Sequence, residues 1–235
     1  MIPIQKGSAP PELLALQREA TRKGLSPNEA YDTLKSPLKD SVRTQLLEEQ
    51  GNLCAYCMCS IPRGDVPEGT APIIIEHVIS RNPEDKRDVG QGLDYNNFVV
   101  VCHGNRGKRK QRKLPDLTCD AHRGNREFRK INPMDRSTLS TIFYQLDGRI
   151  DASDPDVQFD LLDTLNLNCA TAPLVSERKS ALDALIADMQ NVPIQELSAY
   201  CNLRLHSFSA ETGHKTPYVG ILIWYLQSLI KQLGP

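Results

Sequence analysis

The chain has 235 residues, 40% of them hydrophobic, a formal net charge of -1 and seven cysteines. That length and apolar share suffice for one large domain or for a small domain wrapped by helices, and the near-zero net charge names no polyanionic partner by itself. No run approaches the ~18 apolar residues of a membrane span, and MIPIQKGSAPPELL lacks the charged-then-apolar order of a secretory signal, so the expected setting is cytoplasmic, with no membrane partner.

In chain order, Pro10 and Pro11 followed by ELLALQREATRKG predict a short amphipathic helix closed by Gly24. A second helix is expected from Pro37 to Gln50, with Val42, Leu46 and Leu47 as its apolar stripe and Gly51 after its end. SIPRGDVPEGTAP, residues 60 to 72, is a loop by its three prolines and two glycines. IIIEHVI and FVVVC are strand candidates separated by a polar, turn-rich stretch. A helix begins near Cys119 or Asp120, with Thr118 or Asp120 as cap. TIFYQLDGRIDAS suits a hairpin turning at DG. The remainder, DVQFDLLDTLNL, PLVSERKSALDALIADMQ, VPIQELSAYCNL and PYVGILIWYLQSLIKQL, is helical, and the last of these, apolar on nearly every face, belongs in the chain's own core.

Seven cysteines in a reducing compartment argue for metal binding rather than a disulfide framework. Cys54 and Cys57 form a C-x2-C knuckle, whose turn lets two thiolates share one tetrahedral zinc. The completing pair must come from Cys59, Cys102, Cys119, Cys169 and Cys201; position favours Cys102, at the end of the second strand, and Cys119, which flanks the same loop. Cys59 then reads as a bystander, and Cys169 and Cys201 as buried helical residues. The plain alternative is that Cys54 and Cys57 are simply buried thiols.

Glu76 and His77 lie at the end of the first strand candidate. An acid can hold a divalent ion and a neutral imidazole can deprotonate water. Successive strand residues point to opposite faces, so the two can serve one site only if the strand ends and bends there. Otherwise Glu76 faces solvent and His77 is a hydrogen-bonded histidine at a strand end.

The order of the pieces resembles the HNH, or ββα-metal, nuclease motif: a cysteine knuckle, Glu76-His77, Asn97 before FVVVC, then a further cysteine and a basic helix. The phrases LLEEQGNLCAYC, IEH, LDYNNFVVVCHGN, CDAHRGN, INPMD, DGRI and LNLN resemble more particularly the HNH subunit of Septu-type antiphage defence, which also occurs as the effector of certain retrons. The resemblance implies an α+β fold, a mainly helical chain around a zinc-stabilised ββα-metal core. It divides the chain into an N-terminal arm and helices (1–50), the core (51–135) and a hairpin followed by helices (136–235). It implies structural Zn2+ on Cys54, Cys57, Cys102 and Cys119, with His77 as general base, Glu76 as a ligand of catalytic Mg2+ or another divalent ion, and Asn97 as the residue that fixes the loop. The second cysteine pair departs from the common C-x2-C form, with sixteen residues between its members, so the remaining ligand stays open among Asn105, Asp120 and His122. The implied activity is phosphodiester hydrolysis in DNA or structured RNA, beside an ABC-type ATPase subunit and, in retrons, a reverse transcriptase with its RNA-linked DNA. A zinc-stabilised nucleic-acid-binding or scaffold module without catalysis is the competing expectation.

From His103 to Lys130 ten Lys/Arg face three acids, a local excess of seven positive charges. Arg106, Lys108, Arg109, Lys110, Arg112, Lys113, Arg123 and Arg126 are the expected phosphate contacts, because each such contact releases a counterion. Phe128 is the one aromatic in that stretch, so backbone contact is expected rather than base stacking.

Overall fold

The computed structural model describes residues 1–61, 74–83, 92–106 and 113–233. The expected loop from 62 onward, and Lys108, Arg109, Lys110 and Arg112, lie outside the described residues.

Three helices precede the knuckle: α1 (Pro11–Arg22), α2 (Pro27–Asp32) and α3 (Leu38–Glu49). α1 ends where expected, with the Leu25 N–H reaching back to the Ala20 carbonyl across Gly24, whose φ of 65° suits a residue without Cβ. α2 was not anticipated, although its signal is present: Ser26 and Glu29 cap each other reciprocally. α3 buries Val42, Leu46 and Leu47, the expected stripe.

The next unit is small and mixed. β1 (Ile74–His77) pairs antiparallel with β2 (Phe98–Val101), with Glu76 opposite Val99 and His77 opposite Phe98. β2 is buried at every position, because α3 covers one of its faces. β1 is shorter than the expected IIIEHVI: Val78 and Ile79 leave the strand, and Asn97 holds them through its carbonyl and side chain. A short helix, α4 (Cys119–Arg123), follows.

The last part has α5 (Arg136–Leu139), the hairpin β3 (Ile142–Tyr144) and β4 (Ile150–Ala152), then α6 (Pro155–Phe159), which widens into a π turn over Asp160–Thr164. Asp160 is fully buried there and accepts the N–H groups of Arg129, Lys130 and Ile131. α7 (Leu174–Met189), α8 (Leu197–Ala210) and α9 (Val219–Leu233) complete the α+β chain. α9 buries Val219, Ile221, Leu222 and Leu226 and packs against α8, α7 and β3, while Trp224, Tyr225, Leu229 and Ile230 are half-covered.

The boundaries drawn at 50 and 135 are crossed by backbone hydrogen bonds. Ile4 N–H reaches Pro133, Lys215 N–H reaches Gly51, and Tyr218 N–H reaches Met58. The C-terminal region therefore reaches the knuckle, and the N-terminal arm the far end of the same middle segment. Among the described residues no helix is long and apolar enough to cross a membrane.

Candidate metal centre

The knuckle turn is set by its backbone. Cys54 N–H bonds the Cys59 carbonyl, Met58 N–H bonds the Cys54 carbonyl, and Asn52 and Met58 take left-handed φ values of 60° and 62°. Buried Gln50 ties this turn to β2: its amide donates to the Leu53 and Val100 carbonyls, and its oxygen accepts from Val100 N–H. Sequence reasoning missed Gln50; a polar residue at the end of an apolar stripe, directly before the knuckle, was its signal.

Cys102 leaves the end of β2, and Cys119 opens α4. The backbone bond that brings the two ends of the sixteen-residue gap together beside the cysteines runs from Thr118 N–H to the Gly104 carbonyl at 3.0 Å. Gly104 sits at φ 61°, and a Cβ there would lie 2.2 Å from the Thr118 carbonyl oxygen. Cys119 is held from the other side, its N–H on the Leu165 carbonyl at 2.8 Å.

The four sulfurs of Cys54, Cys57, Cys102 and Cys119 lie within 4.8 Å of one another, and three of them are buried. The separations are 4.0 Å for Cys54 to Cys119 and 3.8 Å for both Cys57 to Cys102 and Cys102 to Cys119. A tetrahedron of sulfurs ~2.3 Å from a central zinc has edges of about 3.8 Å, whereas a disulfide needs ~2.05 Å. The quartet is therefore spaced to hold a metal ion such as zinc. The donor set fits too, since tetrahedral thiolate sites suit that ion. Cys169 and Cys201 are buried elsewhere, Cys169 with its thiol on the Pro115 carbonyl. Cys59 is not remote: it follows the knuckle by two residues, is partly exposed and lines the same cavity as Cys102.

Glu76 points from β1 toward α4, where it meets two partners. Arg123 donates Nη1 to its carboxylate, and the Asp120 carboxylate is near enough for its charge to act on Glu76. Burial first, then the Asp120 charge, push Glu76 up to about 8, against the opposing pull of Arg123. Arg106 lies 3.7 Å from the outer side of Asp120. The structure thus brings together Glu76 and Asp120, two of the four expected catalytic-metal ligands.

The other two are turned elsewhere. Asn105 gives its amide nitrogen to the Asp116 carbonyl at 2.7 Å and the Thr171 carbonyl at 3.5 Å, bracing the loop toward α7. His122 Nδ1 lies 3.0 Å from the Thr164 carbonyl and 2.9 Å from Arg126 Nη2, on the side of the π turn.

His77 does not share the face of Glu76. Strand alternation sends its ring inward, edge-on to Tyr31 at 4.7 Å and to Phe98 at 4.9 Å, leaving the residue 5% exposed. Nε2 lies 3.1 Å from the Gly92 carbonyl, which can only accept, so Nε2 carries the hydrogen and Nδ1 the lone pair. Burial lowers its pKa to about 4, and the imidazole is neutral at pH 7. The expectation that strand-end bending would bring Glu76 and His77 into one site is corrected here, because the bend begins after His77. Asn97 sits beside the turn that follows β1. Its Oδ1 accepts from Ile79 N–H at 2.7 Å and its Nδ2 donates to the Ile79 carbonyl at 3.0 Å, pinning the loop that follows His77.

Two expected phosphate contacts are also corrected. Arg123 is 1% exposed; it donates to Glu76, to the His77 and Val78 carbonyls and to the Arg126 carbonyl, and stacks over Phe128. Arg126 is spent on the Asp163, His122 and Thr164 carbonyls. Both are clamps joining α4 to β1 and to the π turn, a role that charge counting cannot distinguish from a solvated cation. Arg106 and Lys113 keep partly or fully exposed side chains at either end of the basic stretch.

Compared with models of known protein families and with curated proteins, the chain matches none.

Proposed function

We propose that the chain is a divalent-metal-dependent endonuclease, the nuclease effector of an antiphage defence complex, built on a zinc-stabilised ββα core. The observation that supports this reading most directly is the meeting of Glu76, at the end of β1, with Asp120, on the helix that Cys119 opens. Two neighbouring carboxylates repel unless a proton or cation lies between them, and hard oxygen donors suit Mg2+. The ion, when bound, would stabilise charge developing on the scissile phosphate.

The chain's own residues supply the rest. Zinc on the four cysteines fixes α4 against the hairpin, so Asp120 is held by the same turn that holds Cys119. Asn97 keeps the loop after β1 in place. His77 is neutral with Nδ1 free of hydrogen, the form a general base needs, and that role requires its ring to turn out of the Tyr31–Phe98 slot when substrate binds. Arg106 and Lys113, with the basic residues between them, would carry the phosphate backbone past Asp120. An ABC-type ATPase subunit, and in a retron setting a reverse transcriptase with RNA-linked DNA, are the partners that the phrase order of the sequence supports.

A mixed panel of double-stranded DNA, single-stranded DNA and tRNA, incubated with the chain co-purified with the products of neighbouring reading frames, tests this reading. Mg2+-dependent cleavage that Glu76→Gln and His77→Ala each abolish, with zinc content retained, is the expected result. Cleavage unaffected by either substitution would reject the site.

A second reading, a zinc-stabilised binding or scaffold module without catalysis, is favoured by one observation: Arg123 already neutralises Glu76, and the His77 ring is packed and bonded. Under it, Glu76→Gln changes the melting temperature alone, and the panel stays uncut in every complex.

A further inference from the structure

The sulfur cluster has a fifth member and an entrance. A cavity of about 390 Å³ opens between the metal centre and the C-terminal helices, with Cys59, Cys102 and Thr118 on one wall and Leu174, Glu177 and Tyr218 on the other. Cys59 and Cys102 both line it and are both partly exposed, whereas Cys54, Cys57 and Cys119 are buried. Cys59 follows the knuckle by two residues, and its carbonyl is tied to the Cys54 N–H, which keeps the residue on the cavity wall it shares with Cys102 without adding it to the quartet.

We propose that Cys59 is an oxidation site, at which a hydroperoxide entering the cavity drives formation of a Cys59–Cys102 disulfide and release of the zinc. The inference rests on the quartet holding zinc in the proposed function. In the first step the Cys59 sulfur attacks the outer oxygen of the hydroperoxide. The O–O bond breaks, an alcohol or water leaves, and Cys59 becomes a sulfenic acid. In the second, the Cys102 sulfur attacks the Cys59 sulfur; the S–O bond breaks, and hydroxide leaves as water after taking a proton. Two electrons pass from the two sulfurs to the peroxide. The metal is left with three thiolates, and α4, which begins at Cys119, loses its link to the end of β2.

The geometry selects this pair over the others. Cys59 and Cys102 share the cavity wall, so an oxidant there meets both, and Cys59, outside the quartet, has no metal bond to break before its sulfur attacks. Nor does the cluster need Cys59 for the metal, because the quartet already closes a tetrahedron. A cysteine in that position is free to react first and to be reduced again by a thiol.

The test uses the full chain, purified under reducing conditions, with its zinc measured before treatment. Hydrogen peroxide is then titrated while a chromogenic chelator reads released zinc, and non-reducing peptide mapping identifies the link. The expected results are zinc release from the wild type that dithiothreitol and added zinc reverse, a mapped Cys59–Cys102 bond, and release about tenfold slower in Cys59→Ser, which keeps its zinc when untreated. Equal release from Cys59→Ser, or a mapped bond that leaves Cys59 out, overturns the inference. Mapping on the wild type decides the matter even if the variant does not fold. A wild-type chain that purifies folded and without zinc refutes the metal reading itself, an outcome seen before any peroxide is added.

Discussion

Replacing Gly104 with alanine strikes the contact that brings Cys119 to Cys102. Two costs can be separated. The left-handed backbone at φ 61° costs an L-residue about 1 to 2 kcal/mol. The added Cβ would also stand 2.2 Å from the Thr118 carbonyl oxygen and 2.5 Å from the Ala121 Cβ. These are backbone and short side-chain atoms that cannot swing aside, so the loop and α4 must separate at a further cost of about 2 to 3 kcal/mol. Gly24 is the matched control: its φ is 65°, and nothing lies within 4 Å of its Cβ position, so Gly24→Ala should pay the backbone cost alone. Chemical denaturation of both variants with zinc present should show Gly104→Ala the less stable of the two by that difference. Chelator competition should show its zinc affinity weakened about thirtyfold or more, while Gly24→Ala binds as the wild type. Equal stability losses and unchanged zinc affinity in Gly104→Ala would refute the claim that the Gly104 to Thr118 contact closes the metal centre.

Cys119→Ser should lose zinc and most of its cooperative melting, and Cys201→Ser should keep its zinc, as elemental analysis and calorimetry would show. Arg123→Met should destabilise the fold by about 3 kcal/mol or more by urea denaturation, because it strips donors from Glu76 and two buried carbonyls. For the same reason it should leave the salt dependence of nucleic-acid binding unchanged, and a reduced salt slope would restore it as a phosphate contact. His77 gives a pH signature: its folded pKa, about 4, lies below the ordinary 6.5, so the unfolded chain binds more protons between them, and stability falls as pH falls through that window. From about pH 7 to pH 5 the loss is about 2 kcal/mol. Glu76, pushed up to about 8, acts in the opposite sense, its contribution fading as pH rises, so the measurement is the difference between wild type and His77→Phe. Parallel stability curves for the two would show that His77 is not buried neutral.

What the sequence determined by itself was local. The knuckle at Cys54 and Cys57, the apolar stripe of α3, the two short strands and the DG hairpin all follow from spacing and turn chemistry within a few residues of one another. Even α2 was legible in the Ser26 and Glu29 pair. Asn97 was singled out only by the resemblance to the HNH motif, not by its own surroundings in the sequence. Position along the chain already favoured Cys102 and Cys119 as the completing pair, but only the tertiary structure shows how they meet, through a glycine carbonyl and a threonine N–H that no pattern of side chains announces. That structure also decided that Glu76 lies beside Asp120 while His77 turns the other way, and that Arg123, one cation of a basic stretch, is a buried clamp. Spacing along a chain fixes what neighbours can do, but the sign and strength of a charge's role depend on burial and on partners distant in sequence, and those exist only once the chain has folded.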